Sequence, residues 1–246
     1  MSYAKLVYRG RSSEDFGARI TYPLNIVQPK RNITATSVSG VNGDFLMDSK
    51  NYGNIQQPIN MLVEFPKGYK DWTEWFMEFC DWLQPQDRDR TSYEEWQLSM
   101  LEPYRFIGYV ADPPTISISN SILATVNFTL TVKPFVMQYD GLLWRDVPQT
   151  VINHERYSSQ PTFHIVGSGD FTLTINDLRY KLTNIDDEVY IDSENCLVYK
   201  SKTQNRANCA SFPNNDFPEL ASGVNKISLS GKYSKFEYQA KWRRKL

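Results

Sequence analysis

A mainly β protein in two parts, with a single α-helix in the first, is the fold class this 246-residue chain predicts. Three patterns carry that expectation. Residues 125–133 alternate strictly between Val126, Phe128, Leu130 and Val132 on one side and polar residues on the other, the period-two signature of a half-buried strand. Residues 71–83 instead place Trp72, Trp75, Phe76, Phe79, Cys80 and Leu83 three and four positions apart, which gathers them on one face of a helix. From Pro161 onward, short β-prone runs follow one another with Gly, Asn and Asp between them, as in a β-sandwich or jelly roll.

In chain order, Arg19 to Val27 and Ile33 to Val38 read as short strands punctuated by Pro23 and Pro29. Residues 38–54 then carry Gly40, Gly43 and Gly53 among Asn and Asp residues, a composition of tight turns that predicts a protruding hairpin or arm. A strand from Ile59 to Phe65 returns the chain to the body. The helix opens with Asp71 and Glu74, a capping-box pair, and stops before Pro85, which cannot continue it. Its aromatic stripe reads as core packing. Asp87 to Arg90 reads as a salt-bridged surface loop, and Ile116 to Ser119 pairs with the strand at 125–133 through a turn at Asn120 and Ser121.

The alternation stops at Pro134, so one domain is expected over residues 1–138 and a second over 139–246, with 141–159 irregular. In the second, Thr162 to Val166 and Phe171 to Ile175 flank Gly167-Ser168-Gly169-Asp170, read as a hairpin turn. Strands follow at 179–182, 188–192, 197–200, 226–230 and 236–242. The basic end, Lys241, Arg243, Arg244 and Lys245, reads as a solvated tail.

Chemistry is harder to find. The chain has 27 basic and 28 acidic residues in mixed order, so no basic field marks it for nucleic acid, and no apolar run approaches the roughly 20 residues that cross a bilayer. The first 20 residues lack the apolar core of a signal peptide, so synthesis in a cytoplasm is expected. Cys80, Cys196 and Cys209 match no zinc or redox spacing and read as reduced. His154 sits in the irregular stretch and His164 inside a strand, and neither lies in a catalytic motif. Asp186, Asp187, Glu188, Asp192 and Glu194 could offer oxygens to calcium, but their spacing fits no such loop and suits turns better. Neither an enzyme nor a cofactor site is expected.

The order of several strings resembles the distal tail (Dit) family of long-tailed phages. They are Gly40-Val41-Asn42-Gly43-Asp44-Phe45-Leu46 running on to Asn51-Tyr52-Gly53-Asn54; the helix ending in Trp82-Leu83; Thr129-Leu130-Thr131-Val132-Lys133-Pro134-Phe135 followed by Gln160-Pro161-Thr162; Tyr190-Ile191-Asp192-Ser193-Glu194 with Leu197-Val198-Tyr199; and Phe217-Pro218-Glu219-Leu220 with Ser222 to Ile227. Residues 84–99 and 201–215 are longer and more polar than the family pattern. The resemblance implies a β-sandwich-like first domain with a belt hairpin, a galectin-like second domain that projects outward, and a homohexameric ring at the distal end of the virion tail. Tail tube, tape-measure and receptor-binding proteins would be its other partners. It also implies that Val41, Asn42, Gly43, Asp44, Phe45, Leu46, Asn51, Tyr52 and Asn54, within a contact segment from Val41 to Pro58, touch a neighbouring copy. A different function remains open: a carbohydrate-binding module that stacks cell-wall sugars on Trp144, Trp242 or tyrosines of residues 139–246.

Overall fold

The computed structural model describes residues 4–87, 92–201 and 203–246. Arg88, Asp89 and Arg90 of the expected salt-bridged loop therefore lie outside the described residues, while Asp87 accepts a hydrogen bond from Arg9 Nη1 at 2.8 Å. The chain separates into two compact units, residues 1–136 with 245–246, and residues 137–244. The last two residues group with the first unit.

The first unit is built on a curled antiparallel sheet. Its strands are β1 (Leu6–Tyr8), β2 (Arg11–Ser12), β3 (Ala18–Ile20), β6 (Ile55–Glu64), β7 (Glu94–Leu98), β8 (Tyr104–Val110), β9 (Thr115–Ile118) and β10 (Leu123–Val132), with a separate ribbon of β4 (Arg31–Ser37) and β5 (Asp44–Tyr52). The sheet runs β2-β1-β7-β8-β10-β6-β3, and β9 also pairs with β10. The alternating run is the long central strand: Leu123 to Val132 pairs with Glu64 to Ile55 without a break. Its apolar side, Ala124, Val126, Phe128, Leu130 and Val132, is buried. The turn before it closes as expected, with Asn120 Oδ1 accepting from the backbone of Ile122 and Leu123. The strand expected from Arg19 to Val27 is cut to Ala18–Ile20. Beyond it the chain loops through Pro23, and the buried Gln57 side chain supplies the missing partners by donating to Asn25 O and accepting from Val27 N.

Helix α1 (Trp72–Leu83) lies on this sheet. Asp71 caps it by accepting from Thr73 N and Glu74 N, but only half of the capping box forms, because Glu74 accepts from Lys70 N instead of Asp71 N. The buried residues are Trp75, Phe79, Trp82 and Leu83; Trp72, Phe76 and Cys80 are only half-buried at the margin. Phe79 stacks on Trp75 at 4.9 Å and meets Phe16 edge-on at 5.4 Å, while Phe16 stacks on Trp82 at 4.9 Å. Each buried indole N–H finds a backbone carbonyl: Trp75 donates to Phe16 O, Trp82 to Tyr8 O and Trp96 to Gly108 O. Gly17, at φ +67°, ends the short 3-10 turn after Ser12 so close to β6 that a Cβ there would lie 2.3 Å from Glu64 O.

Strand β11 (Phe135–Gln138) crosses the junction, and the second unit is a sandwich of two sheets. One runs β12 (Arg145–Asp146), β22 (Tyr233–Gln239), β14 (Thr162–Gly167), β17 (Glu188–Asp192), β18 (Leu197–Ser201), β19 (Gln204–Asn205). The other runs β13 (Thr150–Asn153), β21 (Gly223–Ser230), β15 (Gly169–Ile175), β16 (Leu178–Ile185), β20 (Ala210–Ser211), and β23 (Arg243–Lys245) ends the chain. Phe163, Ile165, Val189 and Ile191 of the first face Phe171, Leu173, Leu182 and Ile227 of the second across a shared core. Two short strands, β12 and β13, therefore occupy the stretch expected to be irregular.

The expected hairpin at 167–170 is corrected. β14 and β15 do not pair; they belong to opposite sheets, and Gly167 to Gly169 is the corner between them. Crowding explains the glycines: a Cβ at Gly167 would sit 2.5 Å from Lys232 O, and one at Gly231 would sit 2.4 Å from the Phe171 ring. The hairpin lies one strand later, where Asn176 at φ +52° turns β15 into β16 and its Oδ1 accepts from Lys226 N.

The tail is also corrected. Lys241 Nζ reaches Asp192 at 3.1 Å and Glu194 at 3.0 Å, Arg243 donates to Ser158 O and Gln160 Oε1, and Arg244 pairs with the buried Glu155 at 2.9 Å. A basic run reads as solvated only while the carboxylates it meets, dozens of residues upstream, are unknown. Asp186 is likewise held by Arg206 and Asp187 by Lys200, and no group of three potential metal ligands occurs among the described residues.

Two outcomes test this packing. Phe79→Ala should cost about 3–5 kcal/mol in denaturant unfolding, the range for a fully buried aromatic; a loss below 1 kcal/mol would contradict the helix–sheet core. Burial disfavours the charge of Asp192, yet Lys241 and Asn195 hold its carboxyl below the usual carboxylate range. A depressed folded value means that this stabilisation is complete above the unfolded pKa of about 3.9 and vanishes as pH falls through the lower folded value. Melting curves of Asp192→Asn from pH 7 to 2 should show lower stability at pH 7 and a shallower acid decline than the parent.

Candidate functional site

The sequence of the β4–β5 ribbon explains why it stands apart. Arg31-Asn32-Ile33-Thr34-Ala35-Thr36-Ser37 is β-prone and almost wholly polar, so it can form a ladder but has no apolar face to press into the core. Ser37 pairs with Asp44, Thr36 with Phe45, Ala35 with Leu46, Thr34 with Met47 and Ile33 with Asp48. Residues 38–43 close the loop, with Val41 N donating to Val38 O and Gly40 and Gly43 at φ +86° and +92°.

Near the base the pairing slips between Arg31 and Ile33, and polar groups take over. Arg31 Nε donates to Asp48 Oδ1 at 2.9 Å, and the same oxygen accepts from Lys50 N, whose φ is +55°. The guanidinium and that backbone N–H hold the Asp48 carboxyl below the usual range. Asn32 donates to Asn51 at 2.7 Å. Tyr52 meets Phe135 edge-on at 5.8 Å with Lys245 over its ring, and Asn54 donates to Tyr93 Oη at 2.9 Å, so these two positions root the ribbon in the first unit.

Every residue from 31 to 51 is exposed. Phe45, Leu46 and Met47 are 66%, 66% and 68% exposed, which is unusual for three consecutive large apolar side chains. Alternation divides them. Phe45 and Met47 project from one face, and Leu46 with Ile33 from the other. The nine residues singled out from sequence thus separate into a tip (Val41, Asn42, Gly43), an outer strand (Asp44, Phe45, Leu46, Asn51) and a base (Tyr52, Asn54). Ile33 on β4, Val38 at the tip and Met47 on β5 are exposed too but were not singled out; Met47 was legible as the third member of the run. The expected contact segment runs on past the ribbon to Pro58. Ile55 to Pro58 lie in β6, fully paired with Val132 to Thr129 of the body, with Ile55 and Gln57 buried.

In the second unit, His164 and Tyr190 face each other across paired strands, with rings 4.1 Å apart and nearly parallel. His164 Nε2 lies 2.8 Å from Glu188 Oε2, and Nδ1 lies 3.5 Å from Glu237 Oε2. Trp144, 42% exposed, lies crosswise to both rings at 6.0 and 6.2 Å. Trp242 is half-buried against the core. Cys80, Cys196 and Cys209 are free thiols.

No protein-family model matches the sequence, and no curated protein does. Solved structures do match. The Dit protein (gp19.1) of phage SPP1, described as a paradigm of the hub adsorption apparatus in phages infecting Gram-positive bacteria, superposes with a TM-score of 0.64 at 14% identity. The alignment covers 96% of this chain and 97% of that one, so the likeness takes in both units. The chain has the Dit fold over nearly its whole length.

Proposed function

We propose that this protein is a structural, non-enzymatic component of a phage tail, and that six copies close into a ring at the distal end of the tail. The full-length likeness to a Dit protein carries the reading. The ribbon supplies its physical means. An isolated two-stranded hairpin is marginal in water, and this one exposes apolar side chains on both faces, so a neighbouring copy is the economical way to cover it.

A head-to-tail ring needs a second, different surface on each copy. The first unit offers one around Leu62 and Leu123, which line a shallow depression with Gly17, Arg19 and Glu64, next to the exposed Ile118 and Ile122. Phe45 and Met47 of one copy would cover this patch on the next. Tail tube, tape-measure and receptor-binding proteins are the further partners in this reading.

Trp144 favours a second reading, sugar binding by residues 139–246, because its indole remains accessible beside His164, Glu188 and Glu237. Glycan-array binding lost in Trp144→Ala would support it, and absence of any binding leaves the scaffold alone.

The ring is tested by mass photometry of the purified chain. A sixfold species is expected, and Phe45→Asp with Met47→Asp should convert it to folded monomer with an unchanged melting temperature, since both side chains point into solvent. Leu62→Asp should do the same from the other side. Sixfold particles that persist in both variants would sink the assignment of the arm.

A further inference from the structure

A cavity of about 600 Å³ opens in the second unit, within the roughly 300–1,000 Å³ usual for ligand sites. Four separate segments build it: the chain after β13 (Ser158, Gln160), the β15–β16 hairpin (Ile175, Asn176, Leu178, Tyr180), the β17–β18 turn (Ser193, Cys196) and the approach to β21 (Asp216, Phe217, Glu219, Ala221). Its apolar wall is firm. Tyr180 meets Phe212 edge-on at 5.5 Å, and Phe212 meets Phe217 in the same way at 5.1 Å.

The charge is one-sided. Asp216 and Glu219 are the only charged residues in the lining, and both are exposed. Glu219 is oriented by neutral donors, Ser158 Oγ at 2.7 Å and Gln160 Nε2 at 3.3 Å. Arg243 is a nearby cation: it donates to Ser158 O and Gln160 Oε1, and the Glu219 carboxylate favours its charge, so Glu219 is shared between this guanidinium and the cavity. Burial raises the Tyr180 phenol, and Glu219 and Asp216 raise it further, so both carboxylates act on the same interior.

We propose that this cavity binds a lysine or arginine side chain presented by an extended segment of a partner protein. Asp216 and Glu219 take the cationic head, and Leu178, Tyr180 and Phe217 pack along its methylene stem, an arrangement that uses both halves of such a side chain. The inference is independent of the ring and stands or falls without it.

The test is fluorescence anisotropy with the full-length chain and labelled peptides Ala-Ala-Lys-Ala-Ala and Ala-Ala-Arg-Ala-Ala, against the norleucine peptide of the same length. Saturable binding of the basic peptides is expected, weakened at least tenfold by norleucine and severalfold by raising NaCl from about 50 to 500 mM, as screening requires. Asp216→Asn with Glu219→Gln should lose it at unchanged melting temperature. Leu178→Arg, at an exposed position on the rim, should also abolish it by supplying a cation in place of the ligand. Equal binding of the norleucine peptide, binding unchanged in the carboxylate variant, or no binding at millimolar peptide would each overturn the assignment.

Discussion

The packing of Phe79 between Trp75 and Phe16, with Trp82 closing the cluster, is the contact on which the first unit depends. Phe16 belongs to the short turn that leads into β3, so the cluster ties the helix to the β3 edge of the sheet. The indole bonds from Trp75 to Phe16 O and from Trp82 to Tyr8 O do the same through the backbone, and they remove the cost of burying two N–H groups. With β6 and β10 held beneath the helix, β5 can run on from β6 into solvent and still have a fixed base at Tyr52 and Asn54.

The second unit solves a different problem. Its described residues form no α-helix, so its core comes from the two inner faces of the sandwich, and the chain must pass between sheets without losing register. Glycines at 167 and 231 make that possible by letting Lys232 and Phe171 approach the backbone where any side chain would collide. Ion pairs finish the outside. Lys241 between Asp192 and Glu194, and Arg244 on Glu155, connect the end of the chain to the segments on which they lie.

Helix and central strand were legible in the sequence because each has one dominant apolar period: Trp75 to Leu83 on a 3.6-residue repeat, Ala124 to Val132 on a two-residue repeat. The corner at Gly167 was not, since a glycine-rich turn reads alike whether the chain folds back on its own sheet or crosses to the facing one. Nor was the basic tail, because its fate depends on carboxylates 49 and 89 positions away in sequence. Of the arm, the turn at Gly40 to Gly43 was visible, but its true start at Arg31 was hidden in a polar strand without alternation. The cavity near Tyr180 draws on four distant segments and left no local pattern at all.

An arm with large apolar side chains exposed on both faces makes the isolated chain an adhesive object. Phe45, Leu46 and Met47 offer themselves to any apolar surface that arrives, which exposes the chain to wrong association. Its charged ribbon base, with Arg31 locked to Asp48, limits that risk by fixing the direction in which the sticky strand points. A low standing concentration, rather than a large idle pool, is the regime in which such a surface is tolerated.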